Sequence, residues 1–86
     1  MKVVKRDGRI IDYDRTKIKV AIQKANAEVE PKEQVSDRQI ENIIKHIEDL
    51  KKKRMLVEDI QDEIEKKLME IKKFNLAKEY IIYRYN

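Results

Sequence analysis

The sequence contains no cysteine, one glycine and one proline among its 86 residues. The absence of cysteine excludes a disulfide framework, an iron–sulfur cluster, a zinc ribbon and a thiol nucleophile, and it agrees with the cytoplasmic location that we expect. A single glycine makes both a P-loop and a Gly-x-Gly-x-x-Gly dinucleotide turn impossible. No apolar run reaches the roughly 20 residues needed to span a bilayer. Any phosphate-binding site in this chain must therefore be of another type.

Charge, by contrast, is abundant. Charged residues make up 44% of the chain, and 21 Lys and Arg against 17 Asp and Glu give a net charge of +4. A basic balance favours polyanionic ligands such as a nucleotide, a nucleic acid or an acidic protein face, without choosing among them. The length predicts a single domain over residues 1–86.

The only glycine marks a predicted β-hairpin. Asp7-Gly8 separates two strand-like runs, residues 3–6 and 9–13, and such a pair is a strong hairpin signal because glycine adopts positive φ without steric cost. With Asp7-Gly8 as a two-residue loop, Val4 is expected opposite Ile11. An isolated hairpin is unstable, so we expect helices to pack behind it.

Four helices follow from apolar residues at helical spacing and from capping signals. Asp14 should cap the first helix, Ser36 with Gln39 should form a capping box at the second, and Asn75 should cap the last. The predicted helices cover about residues 15–27, 36–54, 58–71 and 75 onward, and residues 55–57 form a possible short third strand. The predicted fold is therefore α+β, with a two- to three-stranded sheet (the N-terminal hairpin plus a short strand) packed on a four-helix bundle.

Five cations lie within fifteen residues: Lys5, Arg6, Arg9, Lys17 and Lys19. The pattern places Lys5 and Arg6 on a strand just before the turn, and Lys17 in the first turn of the first helix. A helix N-terminus offers free N–H groups and a positive dipole end, so cations beside it suit a triphosphate. The alternative is a solvated charged face with no ligand.

The remaining polar candidates are interpreted as structural. His46, the only histidine, lies beside the apolar stripe of the second helix. Asp12 and Asp14 are interpreted as a cap and a salt bridge, with contact to a ribose hydroxyl or to magnesium as the alternative. No nucleophile, base and orienting group can be assembled, so we expect neither an enzyme nor a protein metal site. The tyrosines near the C-terminus are expected to pack the last helix, or alternatively to dock a partner: Tyr80, Tyr83 and Tyr85.

Four stretches together carry a family pattern. The chain reads V-V-K-R-D-G-R at residues 3–9 and D-Y-D-R-T-K-I at 12–18, with further matching stretches at 35–44 and 57–84. This order resembles the ATP-cone domain, whose members read roughly V-x-K-R-D-G-x-x-x-x-F-(D/N)-x-x-K-I. The closing half is especially similar to that of anaerobic ribonucleoside-triphosphate reductases.

The resemblance implies an allosteric role. ATP cones lie at the N-terminus of ribonucleotide reductases or in the repressor of their genes. By resemblance, the expected effector is ATP or dATP with Mg²⁺, and the expected partner is a reductase catalytic region in the same or a separate chain. Nucleotide-dependent self-association is also implied, whereas nucleic acid and membrane partners are not.

The resemblance also assigns roles to ten positions. Three cations should contact phosphates, apolar residues should line the adenine side, and the start of the third helix should close the site. In that order, these residues are Lys5, Arg6 and Lys17; Val4, Ile18 and Ala21 or Ile22; and Val57, Ile60 and Gln61. Some members carry glutamate, threonine and histidine where this chain has Ile11, Val57 and Gln61.

Two other functions stay open at this point. The altered positions are compatible with a helical protein-interaction module that has lost nucleotide binding. The basic run at residues 51–54 is compatible with a nucleic-acid-binding module, although 17 acidic residues are spread through the chain.

Overall fold

The computed structural model of the chain describes residues 1–84. Within that range, three short strands form one sheet beside four helices, which confirms the predicted α+β class. The strands are β1 (Lys2–Val4), β2 (Ile10–Asp12) and β3 (Arg54–Leu56); the helices are α1 (Arg15–Asn26), α2 (Asp37–Asp49), α3 (Val57–Glu70) and α4 (Phe74–Arg84), and a 3₁₀ turn (Pro31–Glu33) precedes α2.

The sheet has β1 at its centre, antiparallel to β2 and parallel to β3. The expected third strand is therefore present, although it covers 54–56 rather than 55–57. Because side chains alternate across a strand, Val3 and Met55 face the helices and are buried, whereas Ile10 and Leu56 are 50% and 52% exposed on the outer face.

The turn of the hairpin is one residue longer than predicted. The N–H of Lys5 donates to the carbonyl of Arg9 at 2.8 Å, and the N–H of Gly8 donates to the carbonyl of Lys5 at 2.9 Å. The loop is thus residues 6–8, with Gly8 at φ 87°. A three-residue loop that ends in a glycine of positive φ is a common hairpin connection, and it still uses the glycine for the predicted reason.

This longer turn shifts the pairing by one residue. Val4 lies opposite Ile10, and Val3 lies opposite Ile11, so the predicted pairing of Val4 with Ile11 is wrong. A shift of one residue exchanges the two faces of a strand. Arg6 consequently lies in the turn rather than on the strand.

The helix starts predicted from capping residues are confirmed in two cases. The Asp14 side chain accepts the N–H of Thr16 at 3.0 Å. Ser36 and Gln39 form a complete capping box, because the N–H of Gln39 donates to Ser36 Oγ at 3.1 Å and the N–H of Ser36 donates to Gln39 Oε1 at 2.8 Å.

Other predicted helix ends are wrong. Helix α2 ends at Asp49, not within residues 51–54, since Lys51 has a left-handed φ of 52° and leaves the helix. Helix α4 begins at Phe74, so Asn75 lies inside its first turn instead of capping it. Helix α3, by contrast, begins at Val57, within one residue of its predicted start.

The core lies between the inner face of the sheet and the four helices. Among residues 1–84, the buried side chains are all apolar apart from the tyrosine hydroxyl of Tyr80. Tyr83 is half-buried, with the Lys24 ammonium 5.6 Å from its ring centre, and Tyr85 lies outside the described residues. None of the helices in this range has the length and apolar character to cross a bilayer. The buried residues are Val3, Ile18, Ile22, Ala25, Val35, Ile40, Ile43, Ile44, Ile47, Met55, Ile60, Ile64, Leu68, Leu76, Ala77 and Tyr80.

Candidate functional site

One pocket opens where the hairpin meets α1, α3 and α4. Its walls come from four parts of the chain that only the tertiary fold brings together. A concave site with an apolar wall and a few convergent polar groups is the usual form of a small-molecule site. Its lining residues are Val3, Lys5, Ile11, Asp12, Tyr13, Asp14, Lys17, Ile18, Ala21, Val57, Ile60, Gln61, Ile64 and Tyr80.

The inner wall of the pocket is apolar. Val3, Ile18 and Ile60 present parts of the core to the opening, with 6%, 8% and 6% of each residue exposed. Tyr80 closes the wall from α4, and burial raises the pKa of its phenol above the ordinary value. The phenol therefore stays neutral, and this wall suits a flat, uncharged group such as a nucleobase.

Two ammonium groups stand beside this apolar wall. Lys5 follows β1 directly and Lys17 lies in the first turn of α1, and both line the pocket. In the part of the chain that the structure describes, no carboxylate lies within ion-pair distance of either ammonium. Their charge is thus not cancelled by an ion pair, which suits an anionic ligand.

The N-terminus of α1 contributes less to this site than its position predicts. The side chain of Asp14 already accepts the N–H of Thr16 at 3.0 Å, and the carbonyl of Asp14 accepts the N–H of Lys17 at 3.2 Å. The capping carboxylate also places a negative charge where the helix end would attract an anion. Attraction for phosphate therefore comes from the lysine side chains more than from the helix end.

The structure brings most of the sequence-predicted site residues together. Seven of them line the pocket: Lys5, Lys17, Ile18, Ala21, Val57, Ile60 and Gln61.

Three predicted residues lie elsewhere. Val4 does not line the pocket, because side chains alternate along β1 and its neighbour Val3 faces inward. Ile22 is 0% exposed inside the core, so the choice between Ala21 and Ile22 falls to Ala21. Arg6, in the turn, makes an ion pair with Glu58 of α3, with Arg6 Nε 3.0 Å from Glu58 Oε1.

Sequence reasoning missed four lining residues: Val3, Tyr13, Ile64 and Tyr80. The family pattern assigned Val4 instead, whereas alternation along β1 turns Val3 toward the pocket. Tyr80 and Ile64 belong to apolar stripes that pack the core, and no local signal separates a core position from one that also borders a pocket.

The positions at which this chain departs from the family pattern lie in the same pocket. Ile11, Val57 and Gln61 all line it. Gln61 Oε1 is 3.4 Å from Arg84 Nη1, and that guanidinium in turn lies 2.8 Å from Glu65 Oε1 with only 13% of its side chain exposed. Arg84 thus lies behind Gln61 as a nearly buried, carboxylate-paired cation.

Comparison with known proteins decides the family. The family model described as "ATP cone domain" matches residues 1–86. The chain belongs to the ATP-cone family. ATP cones are allosteric nucleotide-binding modules of ribonucleotide reductases, and a pocket that combines an apolar wall with unpaired lysines agrees with that role.

Two relatives place this ATP cone in context. It is 38% identical over 93 aligned positions to a vitamin B12-dependent ribonucleoside-diphosphate reductase of Thermoplasma acidophilum, covering 96% of this chain. It is 30% identical over 95 positions to a ribonucleoside-diphosphate reductase subunit alpha of Chlamydia trachomatis, covering 98% of this chain. The chain spans only 11% and 9% of the lengths of these relatives. Both relatives are named as diphosphate reductases, so the expected similarity of the closing half to anaerobic triphosphate reductases stays a prediction.

Proposed function

We propose that this ATP cone, as one domain over residues 1–86, binds ATP or dATP in the pocket between the hairpin and α1, α3 and α4. The base enters against the apolar wall, and the triphosphate extends toward Lys5 and Lys17. The observation that carries the proposal is the combination of these two lysines, neither in an ion pair within residues 1–84, with an apolar recess in one pocket.

The effector is proposed to bind as its magnesium complex. Within residues 1–84, no group of three or more histidines, aspartates and glutamates is arranged to hold a metal ion. We therefore expect Mg²⁺ to arrive on the triphosphate, which supplies most of its ligands in many nucleotide sites. Asp12 and Asp14 line the pocket. Oδ1 of Asp12 pairs with the Lys2 ammonium and Oδ1 of Asp14 caps α1, so we expect their second oxygens to serve a ribose hydroxyl or a water on that ion.

We propose that nucleotide bound in the pocket regulates a partner protein and that the cone catalyses no reaction of its own. The partner is the catalytic region of a ribonucleotide reductase, in the same or a separate chain, in the cytoplasm. Discrimination between ATP and dATP depends on one hydroxyl, and allosteric couplings are typically about 1–3 kcal/mol. Self-association that differs between the two nucleotides is the expected physical response, and size-exclusion chromatography with each nucleotide measures it.

Isothermal titration with ATP and with dATP in the presence of magnesium tests the binding directly. We expect dissociation constants in the micromolar range or weaker. Lys17→Gln should weaken binding by about tenfold or more, since a hydrogen bond to a charged group contributes roughly 1.5–3 kcal/mol. Lys52→Gln removes the same charge from an exposed lysine that does not line the pocket, and it should change affinity by less than about twofold.

Each other result points to a different function. No heat with either nucleotide at millimolar concentration, together with no rise in melting temperature, would contradict nucleotide binding and favour an interaction module. Equal losses in Lys17→Gln and Lys52→Gln would mean that the site is elsewhere. Binding to DNA or RNA that falls steeply with salt would favour the nucleic-acid alternative.

A further inference from the structure

A cluster of four polar side chains joins the edge of the pocket to helix α2. The hydroxyl of Tyr13 donates to Glu48 Oε2 at 2.9 Å. The guanidinium of Arg15 donates to the same oxygen from Nε at 3.0 Å and to Glu48 Oε1 from Nη2 at 3.1 Å. One carboxylate on α2 therefore holds Tyr13, in the connection between β2 and α1, and Arg15, the first residue of α1.

The guanidinium of Arg15 also holds a second carboxylate, that of Glu41. Arg15 Nη2 donates to Glu41 Oε1 at 2.7 Å, and Arg15 Nη1 donates to Glu41 Oε2 at 3.3 Å. Glu41 and Glu48 are seven residues apart and so lie on one face of α2. Isolated surface ion pairs contribute little to stability, whereas bidentate arginine–carboxylate pairs and networks of several charges contribute more. Arg15 makes a bidentate pair with each of two carboxylates and so meets both conditions.

The ionisation states of the cluster favour the bonds that it makes. Hydrogen bonding from Arg15 is the main cause that lowers the pKa of Glu48. Burial, followed by the hydrogen bond to Glu48, raises the pKa of Tyr13. At neutral pH the carboxylate is therefore ionised and accepts, while the phenol is protonated and donates.

Only one member of the cluster reaches the pocket. Tyr13 lines it, as do Asp14 and Lys17 in the same segment, whereas Glu48, Arg15 and Glu41 do not. The segment from Tyr13 to Lys17 is thus fixed at two points by a helix that lies outside the pocket.

We propose that Glu48 is a positioning residue for the nucleotide site. Through Tyr13 and Arg15 it sets the position of the segment that carries Lys17, and through the same bonds helix α2 responds to nucleotide in the pocket. The inference rests on the proposed function. It adds a route by which nucleotide bound in the pocket affects helix α2, on the far side of that segment.

Matched variants separate this role from simple stabilisation. Tyr13→Phe keeps the ring in the pocket wall and removes only the hydroxyl that bonds to Glu48. Glu48→Ala removes both of the bonds that fix the segment. Glu41→Ala is the control, because it changes the net charge by the same amount and also takes a carboxylate from Arg15, yet leaves the bond between Tyr13 and Glu48 in place.

The first measurement is ATP affinity by isothermal titration. We expect Tyr13→Phe and Glu48→Ala each to weaken binding by about threefold to tenfold, the range of one lost hydrogen bond, and Glu41→Ala to change it by less than about twofold. The double variant of Tyr13 and Glu48 should bind no more weakly than Glu48→Ala alone, because both changes remove the same interaction.

The second measurement is the response of backbone amide NMR signals to ATP. In the wild type, ATP should shift signals of α2 around Glu48 as well as those of Lys17 and its neighbours. In Tyr13→Phe, saturating ATP should still shift the signals around Lys17 but should shift those of α2 much less. A residue that only stabilises the fold would lower the melting temperature without separating the two responses.

Three results would overturn the inference. If Tyr13→Phe and Glu48→Ala bind ATP as the wild type does, Glu48 does not position the site, although the proposed function stands. If Glu41→Ala loses as much affinity as Glu48→Ala, the effect belongs to charge or general stability. If the wild type binds neither ATP nor dATP, the proposed function and this inference fail together.

Discussion

Replacing Gly8 by alanine tests the turn on which the hairpin and the pocket depend. Gly8 has φ 87°, and a Cβ placed there meets no heavy atom within 4 Å. The substitution therefore adds no clash with the surroundings, and its cost is that of holding an L-residue at positive φ. That cost is roughly 1–2 kcal/mol.

The effect should be large for a domain of this size. At roughly 0.05–0.15 kcal/mol per residue, a chain of 86 residues has a free energy of unfolding of about 4–13 kcal/mol. Each kcal/mol should lower the melting temperature by about 4–8 °C. Urea unfolding and thermal unfolding followed by circular dichroism measure both quantities.

Two controls make the reasoning specific to backbone strain. Gly8→Asn should lose less stability than Gly8→Ala, because asparagine tolerates positive φ better than other residues with a side chain. A glycine introduced in the middle of a helix or strand destabilises a protein, but a glycine at positive φ does not. Lys51 is exposed and already has φ 52°, so Lys51→Gly should not destabilise the domain. If Gly8→Ala unfolds at the same urea concentration as the wild type, or if asparagine costs as much as alanine, the turn does not require the strained conformation.

Three further predictions concern a cap, the face of the hairpin and the response to acid. Ser36→Ala should lower the free energy of unfolding by about 1 kcal/mol, measured in urea, and no change would show that the capping box is dispensable. Val3→Ala should weaken ATP binding while Val4→Ala should leave it unchanged in calorimetry, since of the two only Val3 lines the pocket; the reverse order would contradict the placement of the site. Glu63 Oε2 lies 2.8 Å from His46 Nε2, and this hydrogen bond is the main cause that lowers the pKa of Glu63. A lowered carboxyl pKa stabilises the fold at pH above the unfolded pKa, near 4.5, and this stability is lost as pH falls through the folded pKa. Glu63→Gln should therefore flatten the decline of melting temperature with acid. An unchanged slope would exclude this pair as the source of the decline.

Much of the fold could be predicted from local patterns. The capping residues Asp14 and Ser36 carry their own signal, because the hydrogen bonds that they make are to N–H groups two or three residues away. The failed predictions are also local in cause. Asn75 has the residue type of a cap but lies inside a helix that begins one residue earlier, and basic residues after α2 follow a left-handed residue instead of continuing the helix.

The site could be predicted only in part. Lys5 and Lys17 were found because the family pattern points to both and because the hairpin turn and the helix start each mark one of them, and they line the pocket. Val4 was assigned by the family pattern, whereas alternation along β1 places Val3, not Val4, on the inner face. Contacts between distant segments, such as Tyr13 with Glu48, have no signal in the spacing of either residue.

The sequence by itself determined the elements, the hairpin glycine, the amphipathic helices and the concentration of positive charge near the N-terminus. Each of these depends on residues within a turn or two of one another. Only the tertiary structure decided which cations are paired, which valine faces inward and which carboxylates hold the segment before α1. Arg6 is paired with Glu58 while Lys5 lines the pocket, and that difference arises because packing the hairpin on the helices fixes distances that no sequence spacing contains.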